Sequence, residues 1–230
     1  MRILFMGTPD FAVETLETLI HSEHEVIGVV TQPDKPKGRG GKVQFSPVKE
    51  AAIEAGIPVF QPNRVRDGAF IEQLRSILPD VIVVVAFGQL LTKEILELPR
   101  YGCLNVHASL LPKLRGAAPI QWSVIDGDKE SGVTIQQMDE GLDTGDILLV
   151  EKYTLDPKET GGSLFDKLAI EGGKLIVETL SKLENGTATR TPQDDEKSSY
   201  AGKITKELGQ IDFTKPAVTI ERLIRGLNPW

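Results

Sequence analysis

The unbroken apolar run between Asp80 and Ala86 constrains the fold more than any other segment of the sequence. It reads Asp-Val-Ile-Val-Val-Val-Ala, and its β-branched residues favour an extended strand. No polar residue alternates with the apolar ones, so both faces of this strand must be covered. Such a strand belongs at the centre of a parallel sheet that has helices on both sides.

The segments around this run supply the rest of the sheet and its crossover helices. Short apolar runs predict strands at 2–6, 26–31, 57–60, 80–86, 103–107, 133–138 and 147–150. Helical spacing of apolar residues predicts helices at 11–20, 46–56, 67–78, 92–98, 117–125, 160–183 and 217–227. Alternating strands and helices predict an α/β fold with a doubly wound, mostly parallel sheet.

Length, charge and cysteine content exclude several classes of protein. A chain of 230 residues can bury a full core, as one large domain or as one domain with a short appendix. The net charge of −7 leaves no global basic field for nucleic acid, so any such contact needs a local patch. A single cysteine, Cys103, excludes an internal disulfide framework, and without clustered histidines we expect no metal site. No secretion signal or membrane-spanning run is visible, so we expect a cytoplasmic protein.

Asn105 and His107 form the most informative polar pair. They are two residues apart at the end of a predicted strand, so their side chains leave the same face. An amide that donates a hydrogen bond and an imidazole that titrates near neutral pH can serve one reacting centre. The alternative is that His107 is a structural histidine and Asn105 a turn residue. The paired spacing and the loop that follows favour the functional interpretation.

A basic stretch stands out in this acidic chain. Lys35, Lys37, Arg39 and Lys42 lie among prolines and glycines between residues 32 and 42, where we expect no regular element. A solvated loop is one interpretation, and a phosphate-contacting arm is the other.

The loop from Asp139 to Asp146 combines acids with glycines. Turn chemistry explains the glycines and some aspartates, and the spacing does not match a calcium loop. One aspartate could also partner His107. Sequence spacing does not decide between Asp139, Asp143 and Asp146.

Several of these motifs resemble one known family, the folate-dependent formyltransferases. His107, Ser109, Leu110, Leu111, Pro112 and Gly116 match its H-x-S-L-L-P-x-x-x-G signature, and the Gly141–Gly145 loop matches the position of its catalytic aspartate. Within the family, the members that formylate initiator methionyl-tRNA are similar at residues 7–12, 31–34, 38–40 and 115–121.

The resemblance implies a Rossmann-like formyltransferase fold and a specific reaction. The formyl group of 10-formyltetrahydrofolate would pass to the amino group of methionine on initiator methionyl-tRNA, by direct attack through a tetrahedral intermediate and without a metal. Asn105, His107 and Asp143 would be catalytic, with Asp143 orienting the imidazole. The resemblance also implies a folate site, formed by Ser109, Leu110, Leu111, Pro112, Phe87, Gly88, Gln89, Leu90, Asp139 and Gly141. Lys35, Lys37, Arg39 and Lys42 would contact the tRNA.

The domain organisation follows from the same resemblance. We expect a catalytic domain at 1–205 and, at 206–230, a helix and linker leading to a β-barrel absent from this sequence. We also expect a monomer.

Other interpretations of the motifs stay open. The acceptor could be an amino sugar nucleotide, glycinamide ribonucleotide or water, and the chain could bind folate without turnover. The presence of Asn105, His107 and Asp143 together argues against a binding module.

Overall fold

A computed structural model describes residues 1–37 and 42–230. The strands are β1 (Arg2–Gly7), β2 (Glu25–Val30), β3 (Lys35–Lys37), β4 (Lys42–Gln44), β5 (Val59–Phe60), β6 (Val81–Val85), β7 (Cys103–His107), β8 (Arg115–Gly116), β9 (Glu130–Gln137), β10 (Ile147–Thr154) and β11 (Tyr200–Ala201). The helices are α1 (Phe11–Ile20), α2 (Pro47–Glu54), α3 (Gly68–Ile77), α4 (Lys93–Leu96), α5 (Pro119–Asp126), α6 (Gly161–Glu184) and α7 (Ala217–Leu227). Two 3-10 turns span Asp195–Lys197 and Glu207–Gly209.

The main sheet has β6 at its middle, as the apolar run predicts. In the described residues its order is β10-β9-β7-β6-β1-β2-β5. The five strands from β7 to β5 are parallel, and β9 and β10 pair antiparallel at the other edge. The prediction of a mostly parallel α/β sheet is confirmed.

Alternating residues of the central strands enter two different cores. Ile3 and Phe5 of β1 face one core, to which α1, α2, α5 and α6 contribute. Leu4 and Met6 face a second core, which α3 and α4 cover. Because both faces are covered, the sheet is doubly wound, and its strands need no polar face.

Helix starts follow local capping chemistry. The Ser46 hydroxyl accepts from the Lys49 backbone N–H at the start of α2. Thr160 and Ser163 form a reciprocal capping box at the start of α6. These caps satisfy backbone donors that the first helical turn leaves free.

Two short sheets differ from the sequence prediction. β3 and β4 pair antiparallel across the basic stretch, where we expected no element. β8 and β11 pair in parallel, although the polar segment around residue 200 predicts no strand. Both are pairings of only two or three residues per strand, too short to leave an apolar periodicity in the sequence.

None of the helices in the described ranges has the length and apolar character needed to cross a membrane.

Candidate active site

The carboxyl end of β7 projects Asn105 and His107 into a cavity at the edge of the sheet. β7 lies between β6 and β9, with Val84 beside Asn105 on one side and Gln136 on the other. Ligands of open α/β sheets bind at this edge. The predicted pairing of Asn105 and His107 on one strand face is therefore present.

His107 is buried, and one of its two ring nitrogens is engaged in a hydrogen bond. Its Nε2 lies 2.9 Å from the Leu114 carbonyl oxygen. A carbonyl can only accept, so Nε2 carries a hydrogen and Nδ1 is the nitrogen free to gain or lose a proton.

Asp143 receives three hydrogen bonds from three different segments. Asn105 Nδ2 and Gln136 Nε2 donate to its Oδ1 at 3.2 and 2.9 Å, and the Gly116 backbone N–H donates to its Oδ2 at 2.8 Å. A carboxylate held by three donors has a fixed position and stays available as an acceptor.

Asp143 is also the aspartate that faces the imidazole. Its Oδ1 lies 3.7 Å from His107 Nδ1, a distance for charge interaction that exceeds a hydrogen bond. Asp139 instead accepts from Gly141 N and Thr144 Oγ1 within its own loop. The hydrogen bond of the imidazole goes to Leu114, and the role of Asp143 in orienting the ring stays a prediction that rests on this charge contact.

Strained backbone conformations concentrate around this cluster. Among the described residues, positive φ angles outside glycine occur at Leu78, Ala86, Leu114 and Asp143. Three of them bear on the site, because Ala86 lines the cavity, Leu114 binds His107 and Asp143 is its partner. Such strain typically occurs at functional sites, where it fixes a backbone group for the chemistry.

The segment after α6 folds back over the Asp143 loop. Gln193 Nε2 donates to the carbonyls of Asp143 and Gly145 at 2.9 and 2.7 Å. The Ser199 hydroxyl accepts from Leu114 N at 2.9 Å. The loop that carries Asp143 is therefore held from outside as well as by the site.

The cavity has a volume of about 630 Å³ and a largely apolar lining. This volume lies within the range of small-molecule sites. Several residues predicted to bind folate do line it, namely Phe87, Gly88, Gln89, Leu90, Asp139 and Gly141.

The other predicted folate residues lie behind the cavity lining. Ser109 is buried and its hydroxyl donates to the Lys113 carbonyl, while Leu111 N donates to Thr134 Oγ1. Ser109, Leu110, Leu111 and Pro112 are not among the described residues that line the cavity. Ser109 and Leu111 hold the turn that follows His107 through these bonds, and contact of the four residues with folate stays a prediction.

The sequence analysis missed several lining residues. Gln136 is fully buried opposite Asn105, and Tyr200 and Lys203 reach the cavity from the segment after α6. The alternation of β9 places Gln136 on the polar face with Thr134, so it gives no signal that this side chain is buried. No local pattern marks Tyr200 or Lys203.

Three of the four predicted tRNA-contacting cations, Lys35, Lys37 and Lys42, lie on β3 and β4. Lys35 is exposed, and the backbones of Lys37 and Lys42 pair across the two strands. Arg39 lies outside the described residues.

Cys103 does not provide a nucleophile. Burial raises the pKa of its thiol to about 12, so the thiol stays protonated near neutral pH.

Comparison with known proteins places this chain in a family. Residues 1–180 match the family Formyl transferase, and residues 203–230 match Formyl transferase, C-terminal domain. The chain belongs to the formyl transferase family. A family member from Agathobacter rectalis, a methionyl-tRNA formyltransferase, is 64% identical over 230 residues, which cover 100% of this chain and 74% of the relative.

Solved members of the formyl transferase family share the fold. Phosphoribosylglycinamide formyltransferase from Bacillus halodurans is 26% identical, with a TM-score of 0.67, covering 80% of this chain and 95% of that one. The N-formyltransferase from Helicobacter canadensis was solved with folinic acid and dTDP-3-aminofucose. Its sequence is 21% identical to this one and the TM-score is 0.74. The match covers 98% of this chain and 80% of the Helicobacter canadensis chain.

Proposed function

We propose that this chain transfers a formyl group from 10-formyltetrahydrofolate to the amino group of methionine on initiator methionyl-tRNA. The observation that carries the proposal is the convergence of Asn105, His107 and Asp143 in the cavity of a formyl transferase family member. Identity of 64% over the whole chain to a methionyl-tRNA formyltransferase favours this acceptor. Acceptors such as glycinamide ribonucleotide are less favoured, because the relative named for that acceptor is 26% identical.

The cavity suits a flat heterocycle with a few polar edges. Phe87, Gly88 and Leu90 would enclose the pterin from the end of β6, and Met138 and Leu142 from the aspartate loop. Apolar walls with backbone donors and acceptors between them are typical of such sites. The bound folate supplies the formyl group to the amine, and no metal takes part in the proposed reaction.

Asn105 and His107 would stabilise charge on the formyl oxygen. The Asn105 amide nitrogen uses one hydrogen for Asp143 and keeps a second one for the cavity. His107 offers a second donor when Nδ1 is protonated. A fixed donor aimed at a developing oxyanion contributes about 3–4 kcal/mol to catalysis.

Asp143 and His107 would also handle the protons. The new C–N bond forms at the acceptor amine and the C–N10 bond of the folate breaks, while the amine loses one proton and N10 gains one. The Asp143 carboxylate and His107 Nδ1, 3.7 Å apart, are adjacent basic groups that can pass this proton. No covalent enzyme intermediate is needed.

The β3–β4 hairpin would contact the tRNA backbone through Lys35, Lys37, Arg39 and Lys42. Phosphate contacts position a nucleic acid and make its affinity depend on salt. Replacing Lys35 with Ala should therefore weaken methionyl-tRNA binding and reduce the slope of log affinity against log salt by up to about 1. Lys158→Ala, an exposed lysine on the β10–α6 connection, serves as the control. Equal slopes in both variants would contradict the tRNA contact.

The predicted division into residues 1–205 and 206–230, the cytoplasmic location and the monomeric state stay predictions. The second family match, from residue 203, supports a boundary near this point. In the structure, α7 of this segment packs against α5.

The test of the proposed function is transfer of formyl groups from 10-formyltetrahydrofolate, measured with methionyl-initiator tRNA, uncharged tRNA or buffer. Low salt and high tRNA concentration strengthen phosphate contacts. We expect formylmethionine only with the charged tRNA. Equal folate loss in all three tubes would indicate hydrolysis instead, and bound but unreacted folate would indicate a binding module.

A further inference from the structure

Gln193 joins the two segments that converge on Asp143. Its Nε2 donates to the Asp143 and Gly145 carbonyls at 2.9 and 2.7 Å. Its Oε1 accepts from Arg115 Nη2 and Nε at 2.8 and 3.1 Å. Arg115 precedes Gly116, whose backbone N–H donates to Asp143 Oδ2. One half-buried amide therefore bonds both to the loop that carries the carboxylate and to the strand that binds it.

Backbone pairing brings Gln193 to this loop. Thr191 and Ile147 exchange two backbone hydrogen bonds, at 2.8 and 2.9 Å, in an antiparallel bridge. In antiparallel pairing, the residue two positions later on one segment faces the residue two positions earlier on the other. Gln193 therefore lies opposite Gly145, in agreement with its bond to the Gly145 carbonyl. The place of the Gln193 side chain is set by two paired backbone segments.

The backbone of Asp143 needs such support. Its φ of +54° lies in the left-handed region, which is unfavourable for residues other than glycine. The direction of the Asp143 carbonyl depends on the backbone angles of this residue, so a donor that binds the carbonyl opposes a return to an ordinary conformation. Such a return would also move the side chain relative to its donors, which are Asn105, Gln136 and the Gly116 N–H.

We propose that Gln193 is a positioning residue for formyl transfer: its N–H groups hold the left-handed backbone of Asp143 and so keep the carboxylate near His107. This inference rests on the proposed function. Gln193 is not among the described residues that line the cavity, so it acts through Asp143 and not on the substrates. A displacement of about 1 Å in a catalytic group can cost about 100-fold in rate, and the Gln193 hydrogen bonds prevent such a displacement.

Two substitutions separate the donors of Gln193 from its acceptor. Gln193→Met keeps similar bulk and removes both. Gln193→Glu, ionised at neutral pH, keeps an oxygen for Arg115 but removes the N–H groups that bind the two carbonyls. Asp195→Asn is the matched control. Asp195 is exposed on the same segment and accepts from the same Arg115 through Oδ1, and asparagine retains that oxygen.

The first experiment measures kcat and KM for methionyl-tRNA formylation, binding of 5-formyltetrahydrofolate as an unreactive probe, and thermal unfolding. We expect both Gln193 variants to lower kcat about 10- to 100-fold, a larger change than in KM or in folate affinity. Asp195→Asn should keep the wild-type kcat. Rates are taken below the unfolding temperature of each variant, so that loss of folded protein does not enter the comparison.

A second experiment tests whether Gln193 acts through Asp143. Asp143→Asn removes the carboxylate, and asparagine tolerates a left-handed backbone. In that background, adding Gln193→Met should lower kcat by less than about 3-fold, because no carboxylate is left to place. A merely structural role would lower kcat by the same factor in both backgrounds.

Three results would overturn the inference. These are a wild-type kcat in Gln193→Glu, a loss confined to KM or folate binding, or an equal factor for Gln193→Met in the wild-type and Asp143→Asn backgrounds. If Gln193→Met does not fold, Gln193→Glu is combined with Asp143→Asn and decides in its place. Failure of the wild-type chain to formylate methionyl-tRNA would instead count against the proposed function, and this outcome is visible before any variant is compared.

Discussion

His107 is held by one ring nitrogen and left free at the other. Its Nε2 is bound to the Leu114 carbonyl, and its Nδ1 faces Asp143. The Leu114 bond therefore fixes the orientation of the ring and leaves Nδ1 directed at Asp143. In the proposed reaction this histidine stabilises charge that develops only in the transition state, so its removal should affect the chemistry more than folate binding.

Replacing His107 with Ala should lower kcat/KM for formyl transfer by about 10²- to 10⁴-fold. Binding of 5-formyltetrahydrofolate, measured by titration calorimetry, should change by less than a few-fold. His21→Ala is the control, because His21 lies on the surface at the end of α1. Near-wild-type turnover of the His107 variant would contradict the proposed mechanism.

Asp143→Asn should reduce kcat by about 100-fold or more, because an amide nitrogen would face donors that now converge on a carboxylate. Asp139→Asn is a stringent comparison from the same loop. Asp139 accepts through Oδ1 alone, and asparagine retains that oxygen. Steady-state rates of both variants test the assignment, and equal losses would argue against Asp143 as the special aspartate.

At the scale of elements, the pairing of β8 with β11 supports the site. Gly116 has φ +110°, and a Cβ there would lie 2.5 Å from the Tyr200 ring and 2.8 Å from the Ala201 carbonyl oxygen. The same residue donates its backbone N–H to Asp143. A change that moves β8 away from β11 therefore also moves a donor of the catalytic carboxylate.

Gly116→Ala should lower kcat by at least about 10-fold, since it displaces that donor. Gly186→Ala is the matched control, because Gly186 also has a positive φ, of +68°, but has open space around it. The control should lose about 1–2 kcal/mol of stability from backbone strain alone and keep its activity. Thermal unfolding and rate measurements on both variants distinguish the two effects, and unchanged activity of Gly116→Ala would refute the coupling.

At the scale of the whole molecule, Glu159 links three elements near the start of α6. It is 2% exposed and accepts from Tyr153 of β10 and from Ser163 and Lys167 of α6, and its carbonyl accepts from Arg225 of α7. Burial alone raises the pKa of Glu159, but the hydrogen bonds from Ser163, Lys167 and the Asp156 backbone outweigh burial and keep the pKa below its usual value.

The pKa of Glu159 is lower in the folded state than in the unfolded state, where it is near 4.5. Ionised Glu159 therefore stabilises the folded state above pH 4.5, and this stabilisation is lost as the pH falls through the pKa of the folded state. Glu159→Gln should therefore cost about 1–3 kcal/mol in the free energy of unfolding at pH 7. Urea unfolding should show the difference from wild type shrinking below pH 4.5. Glu178→Gln, which removes an exposed pair with Lys182, should cost less than about 0.5 kcal/mol. A pH-independent difference for Glu159→Gln would contradict the explanation.

The sequence alone determined the features that depend on local periodicity. The run from Asp80 to Ala86 predicted the central strand, and the helix predicted at 217–227 has the bounds of α7. Asn105 and His107 could be assigned to the same face of the strand, because side chains two residues apart in a strand point in the same direction. These inferences need only neighbouring residues, and so they hold without knowledge of the tertiary structure.

Only the tertiary structure decided which distant groups meet. The choice of Asp143 over Asp139 depends on a positive φ and on donors from β7, β8 and β9. The place of Gln136 depends on the register between β7 and β9, and the contact of Gln193 with Asp143 depends on a chain segment that folds back over 50 residues. Register and loop path are set by packing across the whole molecule, and no local sequence pattern encodes them.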